Sequence, residues 1–588
     1  MSTTVADFIV ERLSNWGVRR VFGYPGDGIN GVMGALARAQ DRIEFVQTRH
    51  EEMAAFMACG HAKFTGEVGT CIATSGPGAM HLLTGLYDAK ADSQPVVAIV
   101  GQQARSALGA HYQQEADLVS MFSDVASEYV QMVTVASQVR HVVDRAYRIA
   151  ISQRTPTCII LPSDVQELPF TSPPHEHGSV HSGAGYAAPC VTPDQAQLQR
   201  AADVLNAGKR VAMLIGAGAA RAADEVLEVA DVLGAGIAKA LLGKPALPDD
   251  LPNVTGGIGL LGTSATQEMM TSCDTLFMIG SRFPYAEFLP KEGDARGVQI
   301  DIDGRMMSMR YPMEVNLVGD SALTLRALLP LLKRKANRDW ARKIEGDVEK
   351  WWKTLERRAM EDAQPLNPQR VLWELSPRLP ERAMIACDTG TTVHWYSRDL
   401  KLRKGMQAAH SGNLASMGAA MPYALAAKFA YPDRVAIALV GDGAMQMNGI
   451  NELITVAKYW KSWRDPRFIV LVMNNADLNM VTWEQRILEG NPKFQGSQDL
   501  PSFSYAGLAS LLGFDSVVID DPSRVAETWN DVFHHDRPIL VEAMVDPDVP
   551  PLPPHFTVKQ ARNYLMALMK GDADALGIVR ASMKQMFA

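Results

Sequence analysis

The chain has 588 residues, of which 47% are apolar and 21% are charged, and its formal net charge at pH 7 is −8. This composition is typical of a globular protein with several domains, and the acidic balance argues against an extended basic surface for nucleic acid. The six cysteines include no CxxC pair, which argues against a disulfide framework or a zinc site.

The N-terminus gives no sign of export. Asp7 and Glu11 stand where a signal peptide would have an apolar run. The longest apolar stretches, such as residues 468–473, have the length of a strand and fall far short of the ~20 residues that span a bilayer. We therefore expect a cytoplasmic protein.

Apolar runs of strand length alternate with helical patterns along the whole chain. Six clear runs are residues 96–100, 158–161, 211–215, 275–279, 435–440 and 468–473. Their continuous hydrophobicity predicts strands buried on both faces, in parallel α/β sheets. Residues 171–194, rich in Pro, Gly, Ser and His, are predicted to be a linker, and the charged segment 334–362 a helical bridge. We expect α/β domains at 1–170, 191–333 and 364–545, and a tail at 546–588.

The two outer domains share a local pattern. In TCIATSGPGAMHLLTGLYDA and RVAIALVGDGAMQMNGINEL, an apolar strand precedes a Gly-X-Gly turn, Ala-Met and a helical segment. This hints at a duplicated fold, although such junctions occur in many α/β proteins. In the first domain, His50-Glu51-Glu52 precedes an apolar helix and by itself fits a solvated first turn.

Glycine-rich turns also follow strands in the middle domain. IGAGAA (215–220), GSRFPY (280–285) and Asp301-Ile302-Asp303 each come directly after an apolar run. On their own, these turns fit any Rossmann-like domain, with or without a ligand.

The strongest chemical signal lies in the third domain. Gly441-Asp442-Gly443 separates the strand VAIALV from a helix, and Asn474-Asn475 ends the strand FIVLVM. Glycines and a helix N-terminus suit a phosphate group, but a carboxylate in the same turn would repel it. A divalent cation between them resolves the conflict, because Mg²⁺ commonly bridges carboxylates and phosphates. The pair of motifs therefore predicts a site for Mg²⁺ and a diphosphate.

The tail contains an amphipathic helical pattern. One face carries Leu576, Val579, Met583, Met586 and Phe587, and another carries Arg580 and Lys584. The pattern fits either a helix packed on the protein's own surface or a helix lying on a membrane.

Together these motifs resemble the thiamine-diphosphate enzymes of the pyruvate oxidase and acetolactate synthase group. The resemblance is carried by VFGYPGDGIN, TRHEEMAAFMACGHAKFTG, ATSGPGAMHLLTGLYDA, IGSRFPYAEF, QIDID, SGNLASMGAAMPYALAAK and GDGAMQMNGINEL, in family order. It implies three Rossmann-like, doubly wound parallel-sheet domains: pyrimidine-binding (1–170), flavin-type (191–333) and diphosphate-binding (364–545). It also implies a homodimer or homotetramer with active sites shared between subunits. The spacing between GDG and NN is longer than usual, and we expect the excess, at 459–466, to be a surface insertion.

The resemblance assigns roles to residues of the outer domains. Glu51 would hydrogen-bond N1′ of the aminopyrimidine and favour removal of the thiazolium C2 proton, and Met417 would prop the cofactor into its bent form. Gln114 would lie on the substrate side. Asp442, the Asn475 side chain and the Asp477 carbonyl would hold Mg²⁺. Further contacts to thiamine diphosphate are implied for Pro25, Gly26, Thr74, Gly78, His81, Thr389, Gly390, Ser411, Gly412, Asn413, Gly441, Gly443, Ala444 and Met480.

The middle domain resembles the FAD domain of pyruvate oxidases and quinone-linked pyruvate dehydrogenases, chiefly through RFPYAEF and KPALPDDLPNVTGGIGLLGT. FAD contacts are implied for Gly216, Gly218, Gly262, Gly280, Arg282, Phe283, Asp301 and Asp303. Two departures affect the substrate pocket. Gln113 stands where these relatives usually have Phe, and Met480-Val481 followed by Trp483 is similar to acetolactate synthases.

The reaction implied by the resemblance is decarboxylation of a 2-oxo acid, with pyruvate expected, and electron transfer through FAD to a quinone or similar acceptor. Quinone-linked relatives possess a membrane-surface helix, so the tail could place the protein at the inner face of the membrane. The alternative reaction is carboligation of two 2-oxo acids, as in acetolactate synthase. A catalytically silent homologue is disfavoured by the intact Glu51, Asp442 and Asn475.

Overall fold

The structure is a computed structural model that describes residues 3–553, 557–572 and 575–587. Within these residues, eighteen strands form three six-stranded sheets in which every pairing between strands is parallel. Buried apolar clusters cover both faces of each sheet. The predicted fold class, doubly wound parallel α/β sheets, is confirmed.

The first sheet has the order β2-β1-β3-β4-β6-β5. Its strands are β1 (Arg20–Gly23), β2 (Glu44–Gln47), β3 (Gly69–Ala73), β4 (Val96–Gln102), β5 (Val130–Met132) and β6 (Pro156–Pro162). The accompanying helices are α1 (Val5–Asn15), α2 (Asn30–Arg38), α3 (Glu51–Thr65), α4 (Pro77–His81), α5 (Leu83–Ala91), α6 (Leu118–Phe122), α7 (Val139–Gln153) and α8 (Ser163–Gln166).

The second sheet has the order β12-β11-β10-β7-β8-β9. Its strands are β7 (Val211–Ile215), β8 (Gly236–Lys239), β9 (Val254–Gly257), β10 (Thr275–Ile279), β11 (Arg296–Asp301) and β12 (Val315–Val318). Its helices are α9 (Gln195–Ala207), α10 (Ala223–Leu233), α11 (Ser264–Ser272) and α12 (Ser321–Leu328), and α13 (Asp339–Ala359) follows them.

The third sheet has the order β14-β13-β15-β16-β18-β17. Its strands are β13 (Met384–Cys387), β14 (Gln407–Ala409), β15 (Ala436–Gly441), β16 (Phe468–Asn474), β17 (Asp515–Ile519) and β18 (Ile539–Met544). The helices are α14 (Pro368–Leu375), α15 (Thr391–Arg398), α16 (Ala420–Ala430), α17 (Asp442–Ala444), α18 (Ile450–Tyr459), α19 (Asn479–Glu484), α20 (Gln495–Gln498), α21 (Tyr505–Leu511), α22 (Val525–Val532), α23 (Val558–Met569) and α24 (Ala575–Phe587).

The first and third sheets have the same strand order, counted from their own first strands. This agrees with the shared sequence pattern of the outer domains. All six predicted strands form, no helix or strand occupies residues 171–194, and α13 lies inside the predicted bridge. In each sheet the connection direction reverses beside its first strand, which is where α/β folds place their ligands.

Helix α3 joins the first sheet to the third domain. It is buried along most of its length and packs closely against α16. A Cβ on Gly60 would lie only 2.8 Å from the Tyr423 ring, so glycine allows the two helices to approach. The result is one apolar core shared by the first and third domains.

The expectation of a surface insertion at 459–466 is wrong in part. Trp463 is buried and stacks on Phe468, with ring centroids 5.7 Å apart. The Tyr459 hydroxyl accepts a hydrogen bond of 2.8 Å from the backbone N–H of Gln47. These aromatic side chains fill the junction between the first and third domains, so the segment contributes to packing.

The tail helix α24 packs on the protein's own surface. Ile578 is fully buried beside Trp483, and the Ser582 hydroxyl lies 2.6 Å from that of Tyr564. Val579 and Met583, on the predicted apolar face, are exposed; the side chains of Leu576, Met586 and Phe587 lie outside the described residues. Within the described chain, no helix combines the length and hydrophobicity that crossing a bilayer requires.

Candidate functional site

Two turns meet at the carboxyl ends of the adjacent strands β1 and β3. The exposed Pro25 and the half-buried Gly26 follow β1, and Thr74 follows β3. A Cβ on Gly26 would lie 2.6 Å from Thr74 Cβ, and one on Gly78 would lie 3.0 Å from Glu51 Oε1. Glycine is therefore required at both positions, and the structure brings the four predicted residues of these turns to the start of α3.

Glu51 is the first residue of α3 and is almost fully buried. Its Oε2 lies 3.0 Å from His81 Nδ1, and the His81 ring is 4.4 Å from that of His50. The donor atoms of these three side chains lie within 4.8 Å of one another, the sole such group of His, Cys, Asp or Glu among the described residues. The sequence prediction included His81 but missed His50, whose Nδ1 caps α3 by accepting the Glu52 N–H.

Gln114 lies beside the same turn. Its Oε1 accepts a hydrogen bond of 3.1 Å from the Ser75 hydroxyl, and a Cβ on Gly76 would lie 2.9 Å from Gln114 Cβ. Gln114 has φ 60°, in the left-handed region that a residue with a side chain rarely adopts. The structure thus groups Gln114 with the turn that borders Glu51.

Asp442 connects the ends of β15 and β16. Its Oδ2 accepts the backbone N–H groups of Asn475 (2.8 Å) and Ala476 (2.6 Å), and its Oδ1 accepts that of Gly443 (2.8 Å). Burial raises the pKa of Asp442 to about 6. Gly441 ends β15, and Ala444 is buried behind the turn. The predicted turn is therefore built around one buried carboxylate.

The oxygen donors beside Asp442 suit Mg²⁺. The Asn475 side-chain oxygen accepts the Asp477 N–H at 3.1 Å. The Asp477 carboxylate is occupied by three donors: Asn479 Nδ2 at 3.0 Å, Thr482 Oγ1 at 2.9 Å and Lys493 Nζ at 3.1 Å. No hydrogen bond among the described residues uses the Asp477 carbonyl. A carboxylate, an amide oxygen and a carbonyl are thus available together, and they fit the hard cation predicted from the sequence.

The turn after β13 lies next to the Asp442 turn because β13 and β15 are neighbours. It contains the predicted Thr389, whose hydroxyl donates to the Ser416 carbonyl (3.1 Å), and Gly390, which has φ 113°. The sequence prediction missed Asp388, a buried carboxylate that accepts the N–H groups of Thr389 and Gly418 (2.9 and 2.8 Å). Burial raises its pKa to about 6. Its position at the end of a buried strand was the available signal.

Met417 lies over the glycine turn. A Cβ on Gly443 would lie 3.5 Å from Met417 Cε and 2.6 Å from Leu478 Cδ2, so these side chains cover Gly443 closely. Met480, the second residue of α19, is half-buried.

No hydrogen bond between described residues links Glu51 to Asp442.

The structure places Ser411, Gly412 and Asn413 on carboxylates of the first domain. The Ser411 hydroxyl donates to Asp88 (2.6 Å), and Asp92 accepts the backbone N–H groups of Gly412 and Asn413 (2.8 Å each). These residues were predicted as cofactor contacts. Asp88 and Asp92 were not predicted, because nothing local in the sequence indicates contacts with residues more than three hundred positions away.

In the middle domain, the predicted glycines converge at the carboxyl ends of β7 and β10. The Gly218 N–H donates to the Gly280 carbonyl (3.0 Å), and a Cβ on Gly218 would lie 2.8 Å from Gly280 Cα. A Cβ on Gly216 would lie 2.3 Å from the same carbonyl. The two turns can pack this closely only because glycine occupies Gly216 and Gly218 after β7 and Gly280 after β10.

The remaining residues predicted for FAD surround this turn. Arg282 lies 3.9 Å from Asp301, the last residue of β11, and 3.6 Å from Asp303. Burial raises the pKa of Asp301, and the hydrogen bond from Arg305 lowers that of Asp303. A second group lies nearby, since a Cβ on Gly259 would be 3.0 Å from the Phe283 ring, and the Gly262 N–H donates to the Gly259 carbonyl (2.8 Å) in the same loop.

Three family models match the chain in order. They are described as Thiamine pyrophosphate enzyme, N-terminal TPP binding domain (residues 3–121), central domain (198–328) and C-terminal TPP binding domain (388–543).

The chain is also similar over its length to curated proteins. It is 35% identical over 573 residues to YdaP of Bacillus subtilis, named as a thiamine pyrophosphate-containing protein, covering 96% of each chain. It is 29% identical over 548 residues to the pyruvate oxidase of Lactiplantibacillus plantarum, covering 92% of this chain and 88% of that one. It is 30% identical over 566 residues to the acetolactate synthase isozyme 3 large subunit of Escherichia coli, covering 92% and 94%.

Proposed function

Because the chain belongs to the thiamine pyrophosphate enzyme family, we propose that it decarboxylates a 2-oxo acid, with pyruvate the expected substrate. FAD held by the middle domain would carry the electrons to a quinone or a similar acceptor. The observation that carries the proposal is the pair of buried carboxyls at equivalent sheet edges: Glu51 beside the turns after β1 and β3, and Asp442 beside those after β13 and β15. The first suits a proton-transfer role, and the second suits a cation.

The third domain would hold Mg²⁺ and the diphosphate. Asp442, the Asn475 side chain and the Asp477 carbonyl would bind the metal. The turn is least crowded at Gly441, where the nearest atom to an added Cβ would be Thr392 Oγ1 at 3.4 Å, so phosphate oxygens could approach the backbone there. The N-terminus of α17 adds N–H donors. When bound, thiamine diphosphate supplies the nucleophilic carbon and the electron sink that decarboxylation of a 2-oxo acid requires.

Glu51 would hold the proton at the aminopyrimidine. Its burial and its contact with His81 fix the carboxyl in one orientation, as a general acid–base group requires. A positioned group of this kind contributes roughly 10²–10⁴-fold to the rate. Gln114, fixed beside the same turn, offers its side-chain amide on the substrate side.

The middle domain would hold the flavin. The glycine turn at Gly216–Gly218 directly follows the buried strand β7, as phosphate-binding turns of dinucleotide sites do. The carboxylate of Asp301, at the end of β11 two strands away, would suit a ribose hydroxyl. Arg282 beside them adds a positive charge for the phosphates. These features support FAD as the redox group and are shared with dinucleotide sites in general.

The test of the proposal is cofactor-dependent release of CO₂. Purified protein with thiamine diphosphate and Mg²⁺ is assayed against a panel of 2-oxo acids, and the fastest release is expected with pyruvate. Glu51→Gln is expected to lower the rate by roughly 10²–10⁴-fold. The matched control is Glu52→Gln at the next position, which is expected to retain activity. Wild-type protein without CO₂ release, or Glu51→Gln as active as wild type, would overturn the proposal.

Carboligation of two 2-oxo acids is the second candidate. It is favoured by Met480-Val481 at the start of α19, with Trp483 buried behind them, the segment that resembles acetolactate synthases. The identity to acetolactate synthase is also as high as that to pyruvate oxidase. Acetolactate formed from pyruvate while the flavin stays oxidised would select this reaction.

We also propose that active sites form between subunits of a homodimer or homotetramer. The supporting observation is that Glu51 has hydrogen-bond partners in its own domain, whereas the Asp442 turn is built from the third domain. Peripheral membrane contact through α24 stays a proposal supported by the exposed Val579 and Met583. Sedimentation with anionic lipid vesicles tests it, and wild-type protein that stays in the supernatant would refute it.

A further inference from the structure

A buried charged cluster in the first domain faces the loop that ends at Met417. Lys63, on α3, has its Nζ 2.7 Å from Asp92 Oδ2 and 3.6 Å from Asp88 Oδ2. Burial acts to raise the pKa of both carboxyls. The effect of burial is the larger one at Asp88, whose pKa is raised. At Asp92, by contrast, Lys63 and the N–H donors lower the pKa below its usual value. Asp92 is therefore the ionised carboxylate that forms the salt bridge with Lys63.

The free acceptor positions of this cluster are used by residues 410–417, which we call the 410–417 loop. Asp92 accepts the N–H groups of Gly412 and Asn413, and it also accepts the Asn413 side-chain amide at 3.0 Å. Lys63 donates to the His410 carbonyl at 2.6 Å. The start of a third-domain loop is thus fixed by first-domain charges.

The rest of the loop needs this external support. Ala415 has φ 54°, a left-handed conformation that is unfavourable for a residue with a side chain. The Ser416 N–H donates back to the Ser411 hydroxyl (2.8 Å), which itself donates to Asp88. The bend that delivers Met417 to the Gly443 turn is therefore tied to the same cluster.

We propose that Asp92 is a positioning residue, which with Lys63 orders the 410–417 loop and so fixes Met417 for cofactor binding and turnover. The cofactor part of this proposal rests on the proposed function, whereas the ordering of the loop does not. Helix α3 then has two roles. Its first residue, Glu51, would act on the aminopyrimidine, and Lys63 near its C-terminal end helps to order the 410–417 loop.

The first test is hydrogen exchange of the loop in Asp92→Asn, measured on the full chain without cofactor. Asparagine keeps the shape but cannot accept at both positions, and Lys63 keeps Asp88 as a partner, so no unpaired charge is buried. We expect the Gly412 and Asn413 amides to exchange at least about tenfold faster while α16 amides are unchanged. The matched control is Asp124→Asn. Asp124 is an exposed carboxylate that accepts a hydrogen bond from Lys90 of α5, and we expect its replacement to leave exchange in the 410–417 loop at the wild-type rate.

The second test is cofactor binding and turnover by the same variants. Asp92→Asn is expected to raise the Kd for thiamine diphosphate with Mg²⁺ by about tenfold, the value of one hydrogen bond to a charged group. We expect kcat for CO₂ release at saturating cofactor to fall by about tenfold, and KM for pyruvate to change less than about threefold. Asp92→Glu, which keeps the charge, is expected to recover part of both losses.

The outcomes are distinguishable. Wild-type exchange in the loop of Asp92→Asn overturns the proposal, and so does a mobile loop with wild-type Kd and kcat. If wild-type protein binds no thiamine diphosphate, the proposed function and the cofactor part fail together, and exchange still decides whether Asp92 orders the loop. If Asp92→Asn does not fold, exchange in Ser411→Ala without cofactor decides whether the cluster orders the loop. This variant removes the link to Asp88 and the acceptor of the Ser416 N–H, so the Ser416 amide should exchange faster, and wild-type exchange there overturns the proposal.

Discussion

Replacing Glu452 with glutamine is expected to stabilise the protein above neutral pH. Glu452 lies on α18, is fully buried, and accepts the Arg49 N–H at 3.4 Å, a bond that glutamine can keep. Burial raises its pKa from 4.5 to about 7. Between these values the folded protein holds a proton that the unfolded chain releases, so the free energy of unfolding decreases as pH rises and stays lower above the folded pKa. Since each tenfold difference in proton affinity is worth about 1.4 kcal/mol, the loss is on the order of 3 kcal/mol.

The assay compares melting temperatures of wild type, Glu452→Gln and a control, Glu345→Gln, at an exposed position of α13. The difference between Glu452→Gln and wild type should be small near about pH 5 and should grow to roughly 6–12 °C near about pH 8. The control should show no such trend. A difference that is constant with pH, or a lower melting temperature for Glu452→Gln at the higher pH, would refute the reasoning.

Three further predictions concern the metal site, the flavin turn and the thiols. Asp442→Asn should weaken Mg²⁺-dependent binding of thiamine diphosphate by about 10–100-fold or more in calorimetry, because it removes the charged ligand; an unchanged Kd would contradict this. Gly218→Ala should lower the flavin content of purified protein, because its Cβ would meet the Gly280 backbone at 2.8 Å; full flavin occupancy would count against the turn as the binding site. Cys190 is exposed and the other five cysteines are buried, so maleimide should add one label to the native chain by intact mass, and two or more labels would contradict the burial pattern.

The sheets could be predicted from the sequence because their strands are buried on both faces. Continuous apolar runs marked β7 and β10 to the residue, and β16 to within one residue. The meeting of the two strand ends at Asp442 could also be predicted, because GDG and NN each follow a buried apolar strand, and Asp442 accepts the backbone N–H groups of Asn475 and Ala476. Each of these patterns lies within a short stretch of sequence, so it can be recognised without knowing which distant segments come into contact.

What could not be predicted depends on contacts between distant segments. The pairing of Asp92 with the 410–417 loop joins two domains and leaves no periodic signal in either. The tail shows that helical periodicity alone does not identify the buried face of a helix. The periodicity placed Val579 on the apolar face, but Val579 is exposed. The helix instead buries Ile578 with the polar Ser582, since the Tyr564 hydroxyl bonds Ser582 and Trp483 offers an apolar surface to Ile578.

The most direct test of the proposed reaction is the visible spectrum of the purified protein, followed by anaerobic addition of pyruvate in the presence of thiamine diphosphate and Mg²⁺. The account predicts a flavin band that bleaches as CO₂ is released in equal amount, with recovery of the band when a quinone is added, and no bleaching in Glu51→Gln. A colourless protein, or CO₂ release with acetolactate formation and an unchanged flavin band, would contradict it.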